Sequence, residues 1–431
     1  MIPLEGRMPV LVACPDSRAP AYQAVIGLHR AKLLGRFYTG FYYREVPSLT
    51  TLGRAVVPRA YARAERALKR RYHPEIPSGR VRSFWSYDLA IRVESRLARH
   101  GLELKREVVR WRADRFDRAV ATAIERERPG AAIVFSDVAT RHTLPRCRAM
   151  GIPTVLSMVH GDVREEREVL AREAEKSPDF FPLYLGDNSL DQVELNWLHE
   201  RRLAELEIAD TVIVPSDHIA DALEVHGTPR TKIRVIPYAA DTRRFRPDPA
   251  KRPGKDCTFL FAGGVSQRKG IKYLLEAWRL VKRPGWRLQL LGALPRDPGP
   301  LAPYFDQVER LGRVPYSEVA ACMSAADVFV FPSLFEGSAV VTYEALACGL
   351  PSIVTPSAGS IVREGKEGFL VPPGDVPSLA ERMIRLGCDP ELRESMSRSA
   401  RLLAEMYDWE RYHESIVDTL RSVMPALGVV A

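Results

Sequence analysis

Two glutamates stand eight positions apart in the stretch FPSLFEGSAVVTYEALACGLP, which runs from Phe331 to Pro351. Glu336 follows a short apolar run, and Glu344 lies inside the next helix-forming stretch. In a parallel sheet the ligand crevice lies outside the carboxyl ends of the strands, where the following helices begin. Carboxylates there can accept hydrogen bonds from hydroxyl groups, and backbone N–H groups at a helix start attract anions or sugar oxygens. Taken alone, the pair also fits a simpler interpretation, in which Glu336 interacts with a helix dipole and Glu344 is a solvated helix residue.

A second stretch, FLFAGGVSQRKGIKYLLEAW from Phe259 to Trp278, combines glycines with two cations. An apolar strand leads into a Gly-Gly turn, and Arg268 and Lys269 then precede an amphipathic helix. The glycines let the backbone approach a ligand closely, and the cations suit a diphosphate. Cations at a helix start oppose the helix dipole, which favours a bound anion over a solvated pair. No Walker loop occurs, and no G-x-G-x-x-G follows a strand, which weakens a dehydrogenase interpretation.

Short β-branched runs alternate with helical patterns along most of the chain, which predicts βαβ units and parallel sheets. Predicted strands of the first half are 9–14, 131–136, 154–159, 211–216 and 233–238. Predicted strands of the second half are CTFLFAG, WRLQLLG, DVFVFPS, PSIVT and GFLV. Residues 240–255 are polar, basic and rich in proline, as expected of a linker. The sequence therefore predicts two open α/β domains in tandem, with only helices after Pro377.

Length and cysteine usage agree with an intracellular, two-domain protein. The chain has 431 residues, of which 46% are apolar, and it is too long for a single ordinary hydrophobic core. Its six cysteines form no C-x-x-C pair, which argues against a zinc knot and a secreted disulfide framework. Glu5 and Arg7 interrupt the apolar segment that a signal peptide requires. No apolar run approaches the roughly 18 residues of a spanning helix, so we expect a soluble or peripheral protein.

The formal net charge of +9 favours anionic partners such as nucleotides, phosphates, acidic lipids or nucleic acid. Much of the excess lies in the run from Arg54 to Arg71. This run fits a solvated surface helix as well as a patch that faces a membrane or an acceptor. The sequence shows no zinc-finger spacing and no RNP-like aromatic motif, so we expect no nucleic-acid partner.

The two site stretches, together with GRVPYSEVAACMSAADV and VIPYAADTRRFRP, resemble glycosyltransferase family 4, the retaining nucleotide-sugar transferases of the GT-B fold. The likeness is strongest from Ala209 to Trp409, where the motifs share the family's order and spacing. It implies an α/β protein with two tandem Rossmann-like domains, an interdomain cleft and a C-terminal helix that crosses back to the N-terminal domain. The expected parts are an acceptor-side domain at 1–240, a nucleotide-sugar domain at 241–408 and the crossing helix at 409–424.

The resemblance implies a role for each site residue. Lys269, with Arg268, would bind the donor diphosphate, while Glu336 would hold hydroxyls of the transferred sugar and Glu344 those of the ribose. The further implied positions are the N–H groups of Ser338, Ala339 and Val340 for the sugar, the backbone around Arg313 and Val314 for the base, and His160 as active-site histidine.

Two positions depart from the family pattern. Gly264 stands where many members have arginine after the first glycine of the phosphate turn, so we expect Arg268 to supply that charge. Gly337, Ser338 and Ala339 replace the common G-F-G after the first glutamate, which changes the rim of the sugar pocket.

The resemblance implies transfer of a sugar from a nucleotide-diphosphate sugar with retention at the anomeric carbon. It implies no covalent enzyme intermediate, no cofactor and no obligatory metal. The acceptor stays open among a lipid-linked oligosaccharide, a polysaccharide precursor and a small polyol. Alternatives are a GT-B epimerase or phosphorylase and a non-catalytic nucleotide-sugar-binding protein. We expect a cytoplasmic protein, with peripheral association at the anionic inner face of the membrane as an open alternative.

Overall fold

A computed structural model of the chain describes residues 9–16, 19–44, 65, 68–69, 71–87, 89–90, 93, 105–185, 192–250 and 254–424. Most of the basic run from Arg54 to Arg71 lies outside these residues, so its role stays a prediction. The chain divides into two compact units. The first comprises Met1–Met158, Asn196–Ile213 and Tyr412–Ala431, and the second comprises Val159–Leu195 and Val214–Arg411.

The first sheet has seven strands in the order β3-β2-β1-β4-β5-β6-β7. Its strands are β1 (Val10–Ala13), β2 (Leu34–Thr39), β3 (Val81–Ser83), β4 (Ala131–Phe135), β5 (Thr154–Ser157), β6 (Thr211–Val214) and β7 (Ile233–Val235). The central strands β1, β4, β5 and β6 are buried along their whole length, as expected of parallel strands covered on both faces. Five of the seven strands were predicted. The segment LGRFYT of β2 was missed because Gly35 and Arg36 interrupt its apolar pattern.

Six helices are described in full within this part of the chain. They are α1 (Ala19–Arg30), α2 (Lys105–Glu127), α3 (Thr143–Ala149), α4 (Val163–Lys176), α5 (Gln192–Ile208) and α6 (Asp217–Val225). The helices α4 and α5 make up most of the Glu- and Arg-rich segment 161–208.

The second sheet has six strands in the order β10-β9-β8-β11-β12-β13. Its strands are β8 (Cys257–Ala262), β9 (Trp286–Leu291), β10 (Glu309–Gly312), β11 (Val328–Phe331), β12 (Ser352–Val354) and β13 (Gly368–Leu370). The accompanying helices are α7 (Ile271–Val281), α8 (Tyr316–Ala325), α9 (Val340–Ala347), α10 (Val376–Cys388) and α11 (Pro390–Met406). Sequence patterns predicted every strand of this sheet except β10, whose residues ERLG are largely exposed and form no apolar run.

The order of the second sheet reverses beside β8, which pairs with β9 on one side and with β11 on the other. Ligands of open α/β sheets bind at such a switch point, outside the carboxyl ends of the strands. The turn after β8 carries Arg268 and Lys269, and the turn after β11 carries Glu336. The topology therefore brings the two sequence motifs to the same edge of the sheet.

The last described helix is α12 (Trp409–Val423), which belongs to the first unit from Tyr412 onward. The hydroxyl of Tyr412 donates to the carbonyl oxygen of Pro20 at 3.3 Å, and His413 Nε2 lies 2.8 Å from Gln23 Oε1. A Cβ atom at Gly27 would lie only 2.8 Å from the Cβ of His413, so α1 and α12 approach closely. This confirms the expected return of the C-terminal helix to the N-terminal domain.

Candidate functional site

Three charged side chains meet at the switch point of the second sheet. The Nζ atom of Lys269 donates to Oε1 of Glu336 at 2.5 Å, and a guanidinium nitrogen of Arg268 lies 2.8 Å from Oε2. Only 26% of the Arg268 side chain, 17% of Lys269 and 12% of Glu336 is exposed. The structure thus joins the residues predicted to bind a diphosphate and a sugar in one cluster.

The cluster keeps Glu336 ionised. Burial by itself would raise the pKa of this carboxyl, but the charges of Arg268 and Lys269 outweigh burial and hold its pKa at about 2. Two cations therefore share one carboxylate, and the cluster retains one positive charge in excess. Such a cluster suits an anionic group that can add to, or replace, the carboxylate as partner of the cations.

Gly270 ends the short 3-10 turn Gln267–Lys269 in the left-handed conformation, with φ of 72°. A Cβ atom at this position would collide with the carbonyl oxygen of Pro332, which directly follows β11. The two turns are also joined by hydrogen bonds, because the N–H of Leu334 and the hydroxyl of Ser333 both donate to the carbonyl oxygen of Arg268, at 2.8 and 3.1 Å. Glycine is thus required for the close approach of the turns.

Gly264 leaves open space in the phosphate turn. A Cβ atom there would meet no atom within 4 Å, whereas one at Gly263 would touch the stem of Lys269 at 3.4 Å. The Nζ of Lys269 also lies 4.8 Å from the ring centre of Phe331, a cation–π contact that helps to orient the ammonium. The position where family members often carry arginine is therefore unfilled, while Arg268 lies next to Glu336.

The second glutamate forms a separate arrangement on α9. Glu344 lies one turn into the helix and is buried, and the hydroxyl of Tyr316 donates to its Oε1 at 2.8 Å. The guanidinium of Arg244 lies over the ring of Tyr316 at 4.1 Å. Burial raises the pKa of Glu344 to about 7, against the lowering effects of the Tyr316 hydrogen bond and the Arg244 charge. Sequence patterns did not single out Tyr316, although it lies in the quoted motif GRVPYSE.

The predicted sugar-side N–H groups are not equivalent. The N–H of Ala339 donates to the carbonyl oxygen of Ala358 at 3.0 Å, so this N–H has an acceptor within the protein. The hydroxyl of Ser338 donates to the carbonyl oxygen of Gly359 at 2.7 Å and so holds the rim of the predicted sugar pocket in place. The N–H groups of Ser338 and Val340 are left as candidates at the start of α9.

The predicted base-side residues lie between β10 and α8, directly before Tyr316. Arg313 is exposed and Val314 is half-buried. Their place beside the base of the donor stays a prediction.

His160 lies just beyond β5, and its Nδ1 is 2.8 Å from the carbonyl oxygen of Gly161. Its backbone packs against the turn that carries Glu336, because a Cβ atom at Gly337 would lie 3.0 Å from the Cα of His160. Gly161 is similarly close to Phe335, whose Cε2 would lie 2.6 Å from an added Cβ. The structure therefore places the predicted histidine beside the predicted sugar-binding turn.

A buried carboxylate that sequence patterns missed supports the phosphate turn. Glu173 of α4 accepts hydrogen bonds from the side-chain amide of Gln267 at 2.6 Å and from the hydroxyl of Tyr273 at 2.7 Å. The N–H of Arg268 donates to the carbonyl oxygen of Tyr184 at 3.1 Å. Gln267 and Tyr273 lie 94 and 100 positions from Glu173, so no local signal in the sequence could have revealed these contacts.

Solved structures with the same architecture identify the class as the GT-B fold. Sucrose-phosphate synthase of Thermosynechococcus elongatus superposes with a TM-score of 0.63 and 18% identity, covering 97% of this chain and 100% of that chain. HepE of Anabaena, solved in complex with UDP and glucose, gives a TM-score of 0.60 and 16% identity, covering 96% of this chain and 100% of that chain. At these identities the likeness concerns the fold.

Two family models match the chain, Glycosyltransferase Family 4 over residues 88–244 and Glycosyl transferases group 1 over residues 256–389. The chain belongs to the family 4-like glycosyltransferases.

Curated relatives agree with this assignment. WcaL of Escherichia coli K12, provisionally named as a colanic acid biosynthesis glycosyltransferase, is 34% identical over 189 residues, which are 40% of this chain and 47% of that protein. The D-inositol 3-phosphate glycosyltransferase of Pseudarthrobacter chlorophenolicus is 31% identical over 245 residues, which are 50% of this chain and 58% of that protein. The chain thus spans about half the length of these relatives.

Proposed function

We propose that the protein is a retaining hexosyltransferase that moves a sugar from a nucleotide-diphosphate sugar to a glycan, lipid-linked or small-molecule acceptor. The observation that carries this proposal is the cluster of Arg268, Lys269 and Glu336 at the switch point of the second sheet. Family membership and relatives named as glycosyltransferases support the same reaction class.

Arg268 and Lys269 bind the donor diphosphate and stabilise the negative charge that builds on it as the sugar departs. Fixed donors of this kind are worth about 2.7 to 4 kcal/mol each in other enzymes. The diphosphate becomes a partner of both cations, which releases Glu336 to accept hydrogen bonds from hydroxyls of the transferred sugar. The N–H groups of Ser338 and Val340 assist at the start of α9.

Glu344 accepts hydrogen bonds from the ribose hydroxyls. The Tyr316 hydroxyl occupies one oxygen of this carboxylate, at 2.8 Å. The nucleotide therefore either uses the other oxygen or displaces the tyrosine. The base lies along the segment of Arg313 and Val314, and the open space at Gly264 lets the donor approach the backbone of the phosphate turn.

The acceptor binds to the domain at 1–240, while the nucleotide sugar binds to the domain at 241–408, with the helix at 409–424 completing the N-terminal domain. His160 contacts the transferred sugar from its place beside Gly337. The first sheet has its own switch point beside β1, between β2 and β4, where an acceptor would fit by the same topological rule.

The charge on the leaving diphosphate is balanced by side chains, so the reaction requires no metal and no cofactor. We place the enzyme in the cytoplasm, with peripheral binding at the inner face of an anionic membrane where the acceptor is lipid-linked. Among the described residues, no helix is long and apolar enough to cross a bilayer.

A thermal-shift screen against UDP-, GDP- and ADP-sugars tests the proposal, because a ligand that binds only the folded state raises the melting temperature. One nucleotide class should stabilise the wild type and fail to stabilise the Lys269→Ala variant. Release of the nucleotide diphosphate in the presence of candidate acceptors then distinguishes an enzyme from a nucleotide-sugar sensor. No stabilisation by any nucleotide sugar would contradict the proposal.

A further inference from the structure

The first unit contains a cavity of about 770 Å³ that no step of the proposed reaction uses. It lies between α2 and the edge of the first sheet, and residues of β2 and β3 line it. Four arginines line the cavity, namely Arg36, Arg80, Arg82 and Arg126. All the proposed donor-site residues belong to the second unit, so this cavity is a separate feature.

The arginines of the cavity are short of negative partners. Within the described part of the chain, Arg36, Arg80 and Arg82 form no ion pair, and Arg126 shares the single lining carboxylate, Glu127, at 3.0 Å. The lining of the cavity thus carries four arginines and one carboxylate. Like charges around one cavity repel each other, so this excess of positive charge favours an anion that binds there.

Several arginines of the same unit outside the cavity pair with carboxylates. Arg30 pairs with Glu75 at 2.5 Å, Arg118 with Asp114 at 2.8 Å, and Arg202 with Asp137 at 2.7 Å. Arg36, Arg80 and Arg82 differ from these three, and they differ from other unpaired arginines in the described part of the unit in lining one common cavity.

Backbone contacts hold two of the guanidiniums in place. Arg36 donates to the carbonyl oxygen of Gly79 at 2.8 Å, and Arg80 donates to that of Gly35 at 3.3 Å, so each bridges β2 and the segment before β3. A guanidinium has five N–H donors, and these bonds use only one of them in each residue. The remaining donors can serve a ligand.

The single carboxylate of the cavity is already engaged. The hydroxyl of Tyr38 donates to Glu127 at 2.6 Å, and burial, followed by this hydrogen bond, raises the pKa of Tyr38 to about 12. The ring of Tyr38 stacks on that of Phe84, with centroids 6.0 Å apart. Tyr38 and Phe84 thus add aromatic surface to the lining of the cavity, and Glu127 already accepts hydrogen bonds from Tyr38 and Arg126.

We propose that this arginine cavity binds a phosphate-bearing anion, which is either a soluble phosphorylated molecule or the headgroup of an anionic lipid. Guanidinium groups pair with phosphate oxygens in a bidentate geometry that ammonium groups cannot match. The volume lies within the range of about 300 to 1,000 Å³ of small-molecule sites. Protection of a sheet edge would explain Arg82 on β3, but it does not explain Arg126 on α2.

Calorimetric titration with inorganic pyrophosphate tests the proposal. The titration uses the Lys269→Ala background, so that pyrophosphate at the proposed donor site does not contribute. Arg82 is exposed and makes no hydrogen bond among the described residues, so Arg82→Gln preserves the fold. We expect this change to weaken binding about tenfold, as for the loss of one charge-assisted hydrogen bond. Arg148→Gln, an equal charge change on α3 outside the cavity, should leave affinity unchanged.

Flotation with vesicles separates the two sources of phosphate. Binding to phosphatidylglycerol vesicles but not to phosphatidylcholine vesicles, with loss in Arg82→Gln and not in Arg148→Gln, assigns the site to a lipid headgroup. Pyrophosphate binding that depends on Arg82, without such flotation, assigns it to a soluble phosphate. Absence of both, or equal pyrophosphate affinity and equal flotation of the two variants, would overturn the proposal.

Discussion

The Nζ atom of Lys269 lies 2.5 Å from Oε1 of Glu336, although 67 positions separate the two residues in the chain. Their strands, β8 and β11, are neighbours in the second sheet, and both side chains follow the carboxyl ends of these strands. Arg268 completes the cluster at 2.8 Å from the other carboxylate oxygen. The charge balance of this cluster governs the first prediction.

Removal of either charge should reduce sugar transfer, and the two variants should differ in stability. Lys269→Ala leaves a paired Arg268 and Glu336, so the fold persists while turnover falls about 100-fold or more. Glu336→Ala leaves two cations side by side and should lower the free energy of unfolding by about 2 kcal/mol, less than for a fully buried pair. Donor turnover and urea unfolding measure the two effects. Lys282→Ala, on an exposed lysine after α7, is the matched control, and wild-type turnover of Lys269→Ala would remove the mechanism.

Two glycines of the phosphate turn should respond in opposite ways to alanine. Gly270→Ala places a methyl group against the carbonyl oxygen of Pro332 in a left-handed conformation, so we expect a loss of roughly 1 to 3 kcal/mol of stability and of nucleotide binding. Gly264→Ala enters open space, so stability should change by less than about 0.5 kcal/mol. Thermal melting with and without the nucleotide checks both. Equal behaviour of the two variants would contradict this account of the turn.

Glu173 should act as a positioning residue for the phosphate turn. Its replacement by alanine leaves the amide of Gln267 and the hydroxyl of Tyr273 without their buried acceptor, which costs about 1 to 3 kcal/mol for each unsatisfied group. We expect weaker nucleotide binding together with reduced stability. Glu175→Ala, on the exposed face of the same helix, is the control. Retention of wild-type nucleotide affinity in Glu173→Ala would show that α4 only packs against the turn.

Glu344 should make stability depend on pH near neutrality. Burial raises its pKa to about 7 from an ordinary 4.5, so between these values the folded state holds a proton that the unfolded state has lost. The stabilising contribution is fully present below about pH 4.5 and is lost as pH rises through 7, on the order of 3 kcal/mol.

Melting temperatures from pH 4 to 8 should therefore fall less steeply for Glu344→Gln than for the wild type. Glu205, a buried carboxyl whose pKa burial also raises to about 7, contributes in the same window. The slope should consequently diminish in Glu344→Gln without vanishing, and the double variant with Glu205→Gln should flatten it further. A wild-type slope in Glu344→Gln would mean that this carboxyl is ionised throughout.

Transfer should survive chelation, because Arg268 and Lys269 supply the positive charge that the leaving diphosphate needs. We expect activity in EDTA to stay within about twofold of the untreated enzyme. Loss of activity that magnesium or manganese restores would contradict the proposed metal independence. Lys269→Ala assayed with added magnesium gives the complementary check, since a metal should not rescue the variant.

Much of the architecture was fixed by local patterns along the chain. The amphipathic helix predicted after Lys269 agrees with Ile271–Val281. Five of the six strands of the second sheet were predicted, because most of their residues are apolar and buried. The strands β2 and β10 were not predicted. Gly35 and Arg36 interrupt the apolar pattern of β2, and the exposed ERLG segment of β10 has no apolar run. Their pairing depends on the neighbours that the sheet supplies.

The sequence by itself determined the family motifs, the alternation of strands and helices, and the two stretches that hold Lys269 and Glu336. Only the tertiary structure decided that Glu173 supports the phosphate turn, that Tyr316 engages Glu344, and that arginines from β2, β3 and α2 line one cavity. Such contacts join residues far apart in the chain. Their geometry follows from the order of strands and the packing of helices, which no short stretch of sequence encodes.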